Sequence, residues 1–96
     1  MRIPLSKPVF DEEMRNAALD ALQNERFVMG ESVFKFEEEF ARYCGTKFAV
    51  STGSGTSALQ FSLTALGVGQ GDNVVTTPFS FVATANAALH VGAVPV

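Results

Sequence analysis

From residue 47 to the end, short apolar runs alternate with helical segments. KFAV (47–50) leads into a glycine-rich turn (51–55) and a helix candidate (56–66). NVVTT (73–77) leads into a second helix candidate (81–91) and then AVPV (93–96). Strand, helix, strand, helix, strand is the order of a parallel sheet with right-handed crossovers, because parallel neighbours need a long connection between them. It predicts an α/β fold with a parallel-rich sheet flanked by helices. Gly67, Gly69 and Gly71 punctuate the loop after the first helix, Pro78 stops the second strand and Gly92 ends the last helix. The helix at 56–66 is apolar on most sides, through Ala58, Leu59, Phe61, Leu63, Ala65 and Leu66, which predicts a buried helix.

Two helices are expected upstream. Pro4 and Pro8 make residues 1–9 an extended arm. Asp11 is a good N-cap, followed by Glu12 and Glu13 where the helix dipole favours negative charge. Met14, Ala17, Ala18, Ala21 and Leu22 then recur at helical spacing up to about Asn24. ERFVMGE (25–31) is a connector in which Gly30 permits unusual backbone angles. Ser32 is positioned to cap a second helix with Val33, Phe36, Phe40 and Tyr43 facing inward, and Gly45 ends it. Glu37, Glu38 and Glu39 form a solvated face: three successive helix positions splay over about 200° and cannot converge on one metal ion.

Composition narrows the function. The chain has 96 residues, 47% hydrophobic and 18% charged, with a formal net charge of -3. No lysine or arginine follows Lys47, so no basic stripe exists to meet nucleic acid. Cys44 is the single cysteine, which rules out an intrachain disulfide and suits a reducing compartment. No signal peptide and no apolar run of membrane-spanning length is visible. These features predict a soluble cytoplasmic protein. The apolar strand at the very end suggests a fragment of a longer one.

The turn STGSGTSAL (51–59) carries the chemistry. A strand running through glycines into a helix surrounds a concavity with backbone N–H groups and the positive end of the helix dipole, where a phosphate fits. Gly53 and Gly55 allow close approach, and Ser54, Thr56 and Ser57 add hydroxyls. An ordinary turn using Gly and Ser for geometry is the bland alternative. The P-loop pattern is absent, because no lysine follows the glycines. Gly53, Gly55 and Ala58 match the dinucleotide pattern, so a nucleotide-binding α/β module is a second reading. That pattern requires an acid at the end of the next strand, and Asp72 sits at the wrong end.

Linked motifs go further. FEEEFARYCGTKFAV, GSGTSAL, LGVGQGDNVVTTP and FSFVATANAALHVGAVPV, preceded by FVMGESVFKFE, closely resemble the pyridoxal phosphate (PLP)-dependent sugar aminotransferases of the DegT/DnrJ/EryC1/StrS family. The resemblance covers nearly the whole chain. It implies the N-terminal part of the type I aminotransferase fold: residues 1–45 an arm with two helices, and 46–96 the incomplete start of the large PLP-binding domain. It places Gly55, Thr56 and Ser57 at the cofactor phosphate and Phe81 on the pyridine ring, where stacking is favourable. Thr84, one helical turn on, would point into the same site. Phe27, Val28, Met29 and Gly30 match a segment that lines the sugar pocket. Phe79 reads as core, and Asn86 and His90 as helix surface or satisfied polar groups.

PLP chemistry also needs a lysine, and an acid at the pyridine nitrogen. Lys7, Lys35, Lys47 and Asp72 match neither motif, and the family supplies both groups from sequence beyond Val96. The resemblance thus implies an aminotransferase that moves nitrogen, from glutamate, onto a nucleotide-linked ketosugar. It implies a homodimer, no metal, no nucleic acid and no membrane. A sugar dehydratase of the same family, with histidine at the lysine position, is the alternative that the resemblance implies.

Overall fold

The computed structural model describes residues 3–96; Met1 and Arg2, the start of the expected arm, lie outside the described residues. The chain divides into a first unit ending at Ala49 and a second, Val50–Val96.

In the first unit, residues 3–10 form neither helix nor strand. Helix α1 spans Glu12–Asn24, and the Asp11 carboxylate caps it by accepting the Met14 N–H at 2.8 Å. Helix α2 spans Glu31–Cys44 and stops at Gly45, whose φ of 68° is left-handed and whose N–H bonds back to the carbonyls of Ala41 and Arg42.

The entry to α2 differs from expectation. Gly30, not Ser32, is the N-cap. Ser32 lies two positions past the cap, inside the first turn. Its N–H donates to the Glu25 carboxylate at 2.9 Å, and its hydroxyl donates to the other oxygen of the same group. The cap comes from outside the helix, across the connector. Gly30 has an ordinary φ of -69°, so backbone freedom is not why glycine stands there. The left-handed residue is Met29, at φ 54°. Gly30 is needed for space: a Cβ there would lie 2.6 Å from Glu25 Oε2 and 2.8 Å from the Arg26 carbonyl oxygen.

The two Ser32 bonds, the hydroxyl's first, hold the Glu25 carboxyl below its usual range. A depressed carboxyl pKa means that the clasp contributes at neutral pH and is lost as pH falls through the lowered value. Acidification is therefore expected to release the connector before it melts α2. The protection of the Ser32 N–H, its hydrogen-exchange rate relative to that of an unprotected amide at the same pH, measures this; protection that does not fall on acidification would contradict it.

The expected inward face of α2 is also corrected. Phe36, Phe40 and Tyr43 are exposed in this unit, and the residue α2 buries is Ala41. The rings pack on one another instead, with centroids 5.5 Å apart for Phe36–Phe40 and 6.5 Å for Phe40–Tyr43. Helical spacing sets which residues share a stripe, but burial needs an opposing apolar layer.

In the second unit, α3 spans Gly55–Ala65, β1 Asn73–Val74, α4 Ala83–His90 and β2 Val94–Pro95. β1 and β2 pair in parallel, with Asn73 opposite Val94 and Val74 opposite Pro95. Ladder bonds run beyond these short strands: Val94 N–H to the Asp72 carbonyl, Val96 N–H to Val74, and Thr76 N–H to Val96, each at 2.9 Å. Residues 94 and 96 face the partner, so the missing N–H of Pro95 costs no ladder bond. Residues 47–50, expected as a strand, form none; among the described residues the sheet has two strands. An apolar run becomes a strand only when its N–H and C=O groups find a neighbour.

α3 packs on α4, and α4 on β2. The core between them is all alanine: Ala83, Ala87, Ala88 and Ala93 are buried. Their small side chains let backbones approach closely. α3, expected to be buried, has no buried residue, and Leu59, Phe61 and Leu66 are exposed. α4 covers one side of it, and an all-round apolar helix needs cover on several. Phe79, expected in the core, is 97% exposed. No helix among the described residues is long and apolar enough to cross a membrane.

Candidate cofactor site

The first turn of α3 is built by serine and threonine side chains bonding to local backbone. Ser54 is the N-cap, with extended φ and ψ of -163° and 159°. Its Oγ accepts the Ser57 N–H at 3.1 Å and lies 3.0 Å from the Ser57 hydroxyl. Its carbonyl accepts the Ala58 N–H at 3.0 Å and the Thr52 hydroxyl at 2.9 Å. The Ala58 bond is the first of the helical ladder, so of the four N–H groups that a helix start leaves unpaired the Ser57 N–H is the one taken by the cap. The N–H groups of Gly55 and Thr56 have no acceptor within the helix.

Gly55 and Thr56 open onto a concavity of about 580 Å³ that Phe81 and Thr84 line from α4 and the turn before it. Ala58, Leu59, Ser62 and Ala83 complete its wall. The volume falls in the range of small-ligand sites, about 300–1,000 Å³. A Cβ on Gly55 would meet nothing within 4 Å, and its φ is not left-handed. Neither packing nor backbone geometry demands glycine here, so its effect is to keep the space over the free N–H groups open.

No charged side chain lines the concavity. An anion there would be held by backbone N–H groups and the helix dipole, with hydroxyls in support. Phe81 is 76% exposed, so its face is available to a planar ligand. A phosphate at one end and a flat ring against Phe81 is the ligand shape these residues fit.

Of the residues expected at the cofactor, Gly55, Thr56, Phe81 and Thr84 meet at one concavity. Ser57 does not line it; its N–H and hydroxyl face Ser54. Phe27, Val28, Met29 and Gly30 belong to the first unit. There the three side chains are exposed and Gly30 is buried. Two residues were not singled out in the sequence. Ser54 reads in the sequence as a hydroxyl donor, whereas a serine immediately before a helix is the signature of a cap, which it is. Ser80 carried no signal of its own. Among the described residues, no cluster of His, Cys, Asp and Glu could hold a metal ion.

A concavity at a helix start in an α/β unit, with a shape that fits a phosphate and a flat ring, suits a cofactor-binding protein. Residues 8–96 match the DegT/DnrJ/EryC1/StrS aminotransferase family, and the chain belongs to it. GDP-perosamine synthase of Caulobacter vibrioides is 35% identical over 96 residues, 99% of this chain and 26% of that protein. UDP-4-amino-4-deoxy-L-arabinose–oxoglutarate aminotransferase of Shewanella sediminis is 35% identical over 94 residues, 98% of this chain and 24% of that protein. The PLP-form structure of Spr1654 from Streptococcus pneumoniae superposes with a TM-score of 0.89 at 31% identity, covering all of this chain and 24% of that one. A PMP-form of the same protein superposes equally well, with a TM-score of 0.89. The fold is that of the N-terminal part of these aminotransferases. The chain spans about a quarter of the length of the relatives it matches.

Proposed function

We propose that this chain is the N-terminal quarter of a PLP-dependent aminotransferase that transfers an amino group from glutamate to a nucleotide-linked ketosugar. Residues 1–45 serve as its arm and first helices, and residues 46–96 open its cofactor-binding domain. The single observation that carries the reading is one concavity joining the free N–H groups of Gly55 and Thr56 to the exposed ring of Phe81. When bound, PLP supplies the electron sink for the carbon that loses or gains nitrogen. The chain's own part is to hold it: the start of α3 takes the phosphate and Phe81 takes the ring. Ser57 supports the phosphate turn through Ser54. Phe27, Val28, Met29 and Gly30 contribute to the sugar pocket.

GDP and UDP sugars in the names of two relatives support a nucleotide-linked substrate, and oxoglutarate in one of them supports glutamate as donor. The lysine and the acid come from the rest of the protein, which works as a homodimer in the cytoplasm. The test is spectroscopic. The full-length protein carrying this sequence is expected to purify with a visible PLP absorbance that glutamate bleaches. Protein that is colourless, and remains so with added PLP, would contradict the proposal.

The role of Phe81 has its own test. Phe81→Ala should weaken PLP binding by about 1 kcal/mol, roughly fivefold, since stacking is lost and the phosphate contacts remain. A titration of apo-protein with PLP reads this directly. Unchanged affinity would show that the ring does not meet the cofactor.

A further inference from the structure

Phe81 raises a question of positioning. A side chain that is 76% exposed is not fixed by packing, so its place must come from the backbone that carries it. That backbone is irregular: α4 begins at Ala83, and Phe81 lies just outside it. Two hydrogen bonds tie the turn together, and both use Thr84. Its N–H donates to the Phe81 carbonyl at 3.0 Å, and its hydroxyl donates to Ser80 Oγ at 3.1 Å. Ser80 and Thr84 therefore bracket Phe81 on both sides. Upstream, the Phe79 N–H donates to the Thr77 hydroxyl at 3.2 Å, which leaves the Ser80–Thr84 bond as the side-chain tie across Phe81 itself.

We infer that Ser80 and Thr84 are positioning residues that latch the Phe81 turn and so set the plane on which the cofactor ring stacks. This rests on the PLP-binding reading above. The Thr84 hydroxyl, engaged by Ser80, acts on the cofactor through Phe81 and not by direct contact. Ring–ring attraction depends on offset and distance, so a loosened turn weakens stacking without removing an atom from the site.

The test uses the full-length protein and two readouts: PLP affinity of the apo-protein, and the visible circular-dichroism band of bound PLP, which reports the asymmetric surroundings of the ring. Ser80→Ala and Thr84→Val should each weaken PLP binding about three- to tenfold and diminish the dichroic band. The double variant should be no worse than the singles, because both break one bond. Thr84→Ser, which keeps the hydroxyl, should restore both readouts. Singles that match the wild type in affinity and band would overturn the latch. So would a loss in Thr84→Val with none in Ser80→Ala, which would place the Thr84 hydroxyl on the cofactor. So would a loss of melting temperature with an unchanged band, which would make the bond merely structural. A wild-type protein that binds no PLP would overturn the reading on which the latch rests, and the latch with it.

Discussion

Gly55→Asp is expected to abolish PLP retention while leaving α3 as stable as before, or more so. The two effects have opposite signs because they act at the same atoms. Gly55 is the first residue of α3, where its φ suits any residue and a Cβ would stand in open space. An acid at that position faces the positive end of the helix dipole, worth about 0.3–1 kcal/mol to the helix. The same carboxylate occupies the place of the phosphate and repels it. Two unit charges 4 Å apart at an effective dielectric of about 20 interact by about 4 kcal/mol, close to a thousandfold in affinity, and solvent screening at this open concavity leaves a fall of at least roughly a hundredfold. No cationic side chain lines the concavity to offset this. Titration with PLP and thermal unfolding of the apo-protein measure the two effects separately. Undiminished affinity would place the phosphate elsewhere.

The second large effect is expected at Gly30. Replacing glycine by alanine at an ordinary φ of -69° normally stabilises by about 0.4–1 kcal/mol, because it restricts the unfolded chain. Here the sign reverses. The new Cβ would lie 2.6 Å from Glu25 Oε2 and 2.8 Å from the Arg26 carbonyl oxygen. The carboxylate could swing aside only by releasing Ser32, and the carbonyl is backbone. Gly30→Ala should destabilise by about 1–3 kcal/mol, the usual range for overpacking. A chemical-denaturation midpoint checks this. Adding Glu25→Ala should recover part of the loss, since it relieves one clash of the two. A stabilised Gly30→Ala protein would mean that the connector does not close around Gly30.

What was legible in the sequence followed from local rules. Asp11 before Glu12 and Glu13 marks a helix start whose cap is intramolecular and three residues long, and the structure shows that bond. Gly45 marks the stop of α2 by the same logic. The start of α3 at the glycine-rich turn, and the joining of Gly55 and Thr56 with Phe81, were legible through linked motifs whose spacing no single glycine pattern supplies.

What was not legible depends on partners distant in sequence. Nothing around Ser32 announces that a carboxylate seven residues earlier will take both its donors. Gly30 reads as a place for unusual backbone angles, whereas the unusual φ belongs to Met29 and the glycine answers to crowding. Phe36, Phe40 and Tyr43 form a stripe by spacing, but spacing does not say what lies opposite. The run at 47–50 has strand composition, yet pairing is a property of two segments. At the site, the family resemblance gives Ser57 a place at the phosphate. In the structure its N–H and hydroxyl face the Ser54 cap, a local arrangement that only geometry shows.

The central claim is that the start of α3 holds the phosphate of the cofactor. It is tested most directly by comparing PLP with pyridoxal, which lacks only the phosphate, in the full-length wild type and in Gly55→Asp. The wild type should bind PLP far more tightly than pyridoxal, and Gly55→Asp should bind the two nearly alike. A Gly55→Asp protein that keeps the full wild-type preference for PLP would contradict the account.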